Sequence, residues 1–298
     1  MRDARLLLDR LFASAVAAVE PAAAVRRQCQ VEGDTLIVGA ARIDLRQVER
    51  VIVVGAGKAS APMAQAIENL LGERVAGGVV VVKHGHASPL RRVRCLEAGH
   101  PVPDAAGEMA ALALESALSG LSARDLVIAC ISGGASALLP APRPPLTLAD
   151  KQAVTRALLG CGAAIAEINA VRKHLSRLKG GQLARLAMPA RVVALILSDV
   201  IGDDLTAIAS GPTAPDPTTF AEVAAIIARH DIASRLPTAV AELVARGVAG
   251  CEPETPKPGD PCFAGVVNQL VGSNRLALAA AAATAHELGP CAVAAAAA

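Results

Sequence analysis

Lys58 stands in the turn Gly55-Ala56-Gly57-Lys58, directly after the apolar run Val51 to Val54. A lysine at the carboxyl edge of a buried strand is placed to meet an anionic group. A strand, a tight glycine turn and a helix start together aim backbone N–H groups and a helix dipole at negative charge, and phosphate is the natural guest. Gly55 and Gly57 are therefore candidate cofactor contacts and Lys58 a candidate catalytic cation. The alternative is that the glycines merely permit the turn and Lys58 is solvated. Two familiar nucleotide motifs fail here. A Walker A loop needs a wider glycine spacing and Ser or Thr after the lysine, where this chain has Ala59. The dinucleotide fingerprint needs a third Gly or an Ala where Ser60 stands and an acid at the end of the next strand, which ends in Lys83-His84.

A second loop of the same kind, Ser132-Gly133-Gly134-Ala135-Ser136, follows the apolar run Leu126 to Cys130. Its small and hydroxylic residues allow close approach to phosphates, and two such loops on neighbouring strands strengthen the case for an anion. Ser132, Gly133, Gly134 and Ser136 are candidate cofactor contacts. A third segment, Ile168 to Ala187, concentrates Arg172, Lys173, His174, Arg177 and Lys179 before Gly180-Gly181. Such charge usually marks a solvated helix face, and a glycine pair an ordinary cap. Asn169, Arg172, Lys173 and Ser176 nevertheless share one face by spacing, and that face can clamp a phosphate or carboxylate. A fourth segment sets Ser198, Asp199, Gly202, Asp203 and Asp204 just past the run Val192 to Leu197, followed by Ser210-Gly211. Carboxylates at that edge suit Mg²⁺, although Asp also serves turns and caps for local reasons. His84 and His86 are too few for a metal site. Asp104 reads as a helix cap, and His100 as structural in preference to a substrate contact.

These loops require a scaffold of alternating strands and helices. Near-continuous apolar runs at 51–54, 79–82, 126–130 and 192–197 predict strands buried on both faces, and a short apolar strand is predicted over 266–271. Helices are predicted over 60–71, 104–119, 148–161, 182–188, 219–230 and 238–246, after an amphipathic N-terminal helix. The class is α/β, a parallel sheet with helices on both faces. The chain has 298 residues, 53% of them hydrophobic and 1% aromatic, with neither Trp nor Tyr. Aliphatic packing must build the core, and base-stacking modules are disfavoured. A net charge of +2 with scattered basic residues gives no footprint for nucleic acid. Seven cysteines without a C-x-x-C pair suggest neither zinc nor disulfides, and a reduced, cytoplasmic setting. Asp3, Asp9 and Glu20 argue against a signal peptide, and no membrane helix is expected. The Pro- and Gly-rich stretch 247–261 reads as a surface loop and a candidate boundary, and the alanine-rich ending 292–298 as a fragment's terminus.

Taken in order, VVGAGKAS, the His-Pro-Val-Pro-Asp turn, ISGGASALL, INAVRKHLSRLKGG, SDVIGDD, SGPTAPDPTT and GSNRLAL resemble the glycerate 2-kinase family, whose bacterial members are often labelled hydroxypyruvate reductases. The resemblance implies a Rossmann-like N-terminal domain over 1–246 and, over 247–298, a linker and the beginning of a truncated C-terminal region. It implies ATP- and Mg²⁺-dependent phosphorylation of D-glycerate at its 2-hydroxyl, giving 2-phosphoglycerate and ADP, in a cleft facing a second domain that supplies an arginine. Lys58 then neutralises charge on the phosphoryl group or the carboxylate. Ser132 to Ser136 cradle phosphates, while Arg172, Lys173, Lys179, Ser210 and Gly211 face the substrate. Asp199 and Asp203 take the metal, or Asp199 activates the hydroxyl. Partners are a small acid and a nucleotide, with no nucleic acid or membrane, and a homodimer is open. The competing readings are an NAD(P)-dependent hydroxypyruvate reductase and a non-catalytic fragment.

Overall fold

A computed structural model describes residues 2–289, with side chains from Arg5; Cys291 and the alanine-rich ending 292–298 lie outside the described residues. Two helices lead the chain, α1 (Arg2–Ala18) and α2 (Pro21–Gln28), and then three short antiparallel strands, β1 (Cys29–Glu32), β2 (Thr35–Val38) and β3 (Ala41–Asp44). Helix α2 starts where the Glu20 carboxylate accepts the amides of Ala22 and Ala23, with Pro21 in the first turn, where its missing N–H is no loss. The strand meander was not expected from the sequence, because four-residue strands are too short to show a periodicity. Gly33 and Gly39 make its turns with φ of 58° and 54°.

The main body follows as β4 (Arg50–Ala56), α3 (Ser60–Leu71), β5 (Val75–Lys83), β6 (Arg94–Ala98), α4 (Ala105–Ala117) and β7 (Asp125–Ser132). It continues through α5 (Ala135–Leu138), α6 (Leu148–Gly160), α7 (Ile165–His174), α8 (Gln182–Ala187), β8 (Arg191–Leu197), α9 (Phe220–Arg229), α10 (Thr238–Val248), β9 (Val266–Gly272) and α11 (Asn274–Glu287). The last six strands form one parallel sheet in the order β6-β5-β4-β7-β8-β9. The chain thus runs from the centre to one edge, returns, and fills the other half. Beyond the carboxyl ends of β4 and β7 the connections diverge to opposite faces, which opens a crevice.

Alternating side chains explain why both faces are covered. Val54 and Ala56 on β4, with Ala129 and Ile131 on β7, pack on one face with Ala110, Ala111 and Leu114 of α4. Val51 and Val53, with Leu126 and Ile128, pack on the other with Met63 and Ile67 of α3 and the meander's Leu36 and Ile43. A separate helical core around Phe220 joins α6, α7, α9 and α10. The boundary expected after Arg246 does not divide the sheet. Val266–Gly272 pairs in parallel with β8, so the segment beyond the 247–261 loop is the sheet's sixth strand.

Gly55 lies inside β4, where a Cβ would sit 2.1 Å from the Cys130 carbonyl oxygen of β7. Gly55→Ala must push apart the two central strands, and we expect a cost of roughly 1–3 kcal/mol, the range of overpacked cores, read as a lower midpoint in urea unfolding.

Candidate active site

The loops after β4 and β7 are bonded to each other. Gly57 N–H donates to the Val81 carbonyl at 3.0 Å, Lys58 N–H to the Gly133 carbonyl at 2.9 Å, and Ser60 N–H to the Gly57 carbonyl at 3.2 Å. Ala59 N–H donates to Ser132 Oγ at 3.0 Å. The first loop's amides are therefore occupied, and the expectation that Gly55 and Gly57 line an anion with N–H groups is corrected. Their role is close approach: a Cβ on Gly57 would lie 2.1 Å from Ser132 Oγ. The second loop behaves differently. Among the described residues, the amides of Gly133, Gly134, Ala135 and Ser136 meet no protein acceptor. Gly134 takes φ of 91°, a conformation that suits glycine.

Three side chains from other strand ends converge there. Lys58 is exposed and in no ion pair among the described residues, and its Cε is 3.5 Å from where a Gly134 Cβ would stand. The His100 ring lies 3.0 Å from that same point, and the exposed Asp199 carboxylate comes within 2.1 Å of a would-be Cβ on Gly133. These contacts leave no room for a side chain on either glycine. Burial lowers the His100 pKa, and the Lys58 and Lys83 charges lower it further against the opposing pull of Asp199. Its imidazole is neutral at pH 7. The structure thus places His100, read from the sequence as structural, beside Gly134 and Lys58. Nothing in its local sequence signals this, since His100 follows β6, which pairs with β5 and not with β4 or β7.

The basic helix α7 divides its charges. Arg172 is half-buried, forms no ion pair among the described residues, and faces a cavity shared with His100, Gly134, Ser136 and Lys179. Lys179 is 3% exposed and donates to the Leu139 carbonyl. Burial, and then the Arg172 charge, push its pKa down to about 7. Lys173 turns away, and its expected role as a substrate contact is corrected: its Nζ is buried 3.2 Å from Asp216. Asp216 also accepts from Thr218 N–H and Oγ and from Thr255 Oγ. Burial raises the Asp216 carboxyl pKa, but Lys173 and the Thr218 bonds outweigh it and hold the carboxyl below its usual range.

Ser210 and Gly211 are also buried behind the site, which corrects their assignment as substrate contacts. Their carbonyls accept the Gly180 and Gly181 amides at 2.9 and 2.7 Å. Ser210 Oγ donates to Asn169 Oδ1 at 3.2 Å and lies 3.0 Å from Ser136 Oγ. Having one proton, Ser210 must accept from Ser136, so Ser136 can only accept from a ligand. Asp203 is half-exposed with φ of 54°, a costly conformation for a residue with a Cβ, whereas Asp204 is spent on a local turn with Thr206. No group of three or more His, Cys, Asp or Glu that could hold a metal is found among the described residues. Mg²⁺ commonly takes only one or two protein carboxylates and completes its shell with phosphate and water oxygens. The free Asp199 carboxylate beside unpaired loop amides fits that donor set.

Two measurements follow from these charges. Asp216→Asn leaves the Lys173 ammonium buried without its counter-charge, and we expect a loss of about 3–5 kcal/mol in urea unfolding. Lys179, at about 7 folded against an ordinary 10.5, is protonated in both states below pH 7, so its burial cost is fully present there. Between these values only the unfolded chain holds the proton, so stability rises with pH across this window. Lys179→Met is expected to flatten that rise in unfolding midpoints taken from pH 7 to 10.

Comparison with known proteins finds a family model described as a domain of unknown function, DUF4147, matching residues 7–245. A putative hydroxypyruvate reductase of Agrobacterium vitis is 47% identical over 289 residues, covering 97% of this chain and 60% of that protein. Glycerate 2-kinase of Pyrococcus horikoshii is 40% identical over 287 residues, covering 96% and 63%. A crystal structure of glycerate kinase from Thermotoga maritima superposes with a TM-score of 0.82 at 34% identity, covering 97% of this chain and 64% of that one. The chain thus spans about three fifths of the length of these relatives. No described helix is long and apolar enough to cross a membrane.

Proposed function

Since this chain belongs to the DUF4147 family, we propose that its site transfers the γ-phosphoryl group of ATP to the 2-hydroxyl of D-glycerate, giving 2-phosphoglycerate and ADP. The observation that carries this reading is the junction at Gly133-Gly134, where free loop amides, the Lys58 ammonium and the Asp199 carboxylate meet at the point where the strand order reverses. The names of the Pyrococcus and Thermotoga relatives support it.

Phosphoryl transfer asks a protein mainly for alignment and charge neutralisation. The glycerate oxygen forms the new bond to phosphorus while the bond to the bridging oxygen of ADP breaks. In this reading the amides from Gly133 to Ser136 hold phosphate oxygens and Lys58 neutralises the charge of the group in flight. The hydroxyl proton has two acceptors at hand, the neutral His100 imidazole and the Asp199 carboxylate. Mg²⁺ would rest on Asp199 and Asp203 and would neutralise charge on the nucleotide phosphates. Arg172 and Lys179 hold the acid's carboxylate. Free thiols at Cys29, Cys95, Cys130, Cys161, Cys251 and Cys262 suit a cytoplasmic enzyme.

The reductase named for the Agrobacterium relative has a specific observation against it here. A dinucleotide site of this topology binds pyrophosphate on the amides of the first glycine loop, and those amides are engaged by Val81, Gly133 and Ser132. The strand beside it, β5, ends in Lys83 rather than a ribose-binding acid.

The chain incubated with D-glycerate, ATP and Mg²⁺ is expected to release ADP, and with hydroxypyruvate and NADH or NADPH to leave absorbance unchanged. NAD(P)H oxidation without ADP release would overturn the transferase reading, and silence in both assays would favour a non-catalytic fragment. Lys58→Ala is expected to lower kcat by about 10²- to 10³-fold, the usual cost of removing a transition-state charge stabiliser. A change within about twofold would remove Lys58 from the chemistry.

A further inference from the structure

Beside the Lys58 junction, between α6, α7 and the chain joining α5 to α6, lies a cavity of about 230 Å³. Its lining combines the apolar Pro101, Pro103, Ala137 and Pro140 with the basic Lys151, Arg172 and Lys179. Lys151, on α6, is 8% exposed and donates to the Pro140 carbonyl, as Lys179 does to the preceding carbonyl of Leu139. Each lysine Nζ spends one donor on a backbone carbonyl this way. Arg172 makes no hydrogen bond or ion pair with the described residues. Arg177 adds to the positive field at Lys151, and its guanidinium is held by Glu115 at 2.8 Å. His100 also lines the cavity, and burial with the Lys58 and Lys83 charges holds its pKa below the usual histidine value. No carboxylate pairs with Lys151, Arg172 or Lys179 among the described residues.

Buried charges in folded proteins are paired or shed their protons. Here burial first, and then the mutual repulsion of this cluster, push Lys151 well below the ordinary lysine range. Lys173, one residue from Arg172, shows the contrast, since it is equally buried and has Asp216. The cluster is left without an acid only where the cavity is.

We propose that this cavity is an anion pocket for the carboxylate of a small hydroxy acid, with Lys151 as a binding residue and the ligand supplying the counter-charge that the protein omits. That the anion is the acceptor acid rests on the function proposed above; that the pocket takes a small anion does not. The volume is below the roughly 300–1,000 Å³ of pockets that enclose drug-sized ligands, so it suits a three-carbon acid and not a nucleotide. His100 and Gly134 border both the cavity and the Lys58 junction, so an acid anchored by Lys151 lies next to the transferring group. Anion binding must also draw protons onto the lysines, because a carboxylate favours the charged ammonium that burial disfavours.

Calorimetric titration of the 298-residue chain at pH 8 with D-glycerate, and separately with inorganic phosphate, tests this in two buffers of different ionisation enthalpy. We expect D-glycerate to bind with proton uptake, seen as a heat that changes with the buffer. Lys151→Met is expected to weaken binding at least tenfold and to reduce the uptake, while the ligand-free variant melts no lower than wild type, since a buried unpaired amine is gone. Arg172→Gln, at a half-exposed position, should weaken binding similarly without unfolding the chain. If neither ligand binds wild type, or if Lys151→Met lowers the melting temperature and leaves affinity unchanged, the pocket is overturned and Lys151 is structural. Displacement of D-glycerate by ADP alone would overturn the assignment to the acid. Glycerate binding that needs Lys151 without ADP release upholds the pocket and counts against the transferase, whereas ADP release with glycerate affinity indifferent to Lys151 does the reverse.

Discussion

The amides of Lys58 and Ala59 close onto the Gly133 carbonyl and the Ser132 hydroxyl, and this junction ties the carboxyl ends of β4 and β7 together. Everything at the site depends on it. The two strands can approach so closely only because Gly55 and Gly57 have no Cβ to meet Cys130 and Ser132. The bonds consume the donors of the first loop and leave those of the second free, so the unpaired amides lie one strand over from where a glycine-x-glycine pattern would put them. Lys58 is left with its side chain beside Gly134 and without an ion pair among the described residues.

Around this junction the protein treats buried charge in two ways. On the far side of α7, Lys173 and Asp216 are paired and the remaining Asp216 lone pairs are met by Thr218 and Thr255, which fastens the 251–260 loop to the helix. His174 extends the same anchorage to Glu254 at 3.0 Å. On the near side, Lys151, Arg172 and Lys179 face a cavity with no acid. A satisfied network rigidifies, whereas an unsatisfied one is costly unless something arrives to complete it. The rigid side holds the incomplete side in place, because both hang from one helix and from the Gly180-Gly181 turn that Ser210 and Gly211 secure.

The parallel sheet was legible in the sequence because strands covered on both faces must be continuously apolar, and β4, β5, β7 and β8 are. The short meander and β6 were not, since strands of four or five residues carry too little pattern. Lys58, the Ser132 to Ser136 loop and Asp199 were legible because each ends a strand, and strand ends of a parallel sheet share one edge. Lys151 was not, because it sits in an ordinary amphipathic helix with no motif around it.

The sequence by itself determined which residue types end the strands and hence that small loops, one lysine and carboxylates gather at a single edge. Only the tertiary structure decided which of them are bonded inward and which stay unpaired among the described residues. Arg172 and Lys173 are neighbours in the chain but about 100° apart around a helix, so one meets the cavity and the other Asp216. Gly57 and Gly133 read alike as loop glycines, yet the amides next to the first are bonded inward and those of the second are free. Composition and spacing are one-dimensional, while the partner that satisfies or omits a hydrogen bond comes from a distant strand or helix, and that partner decides between scaffold and site.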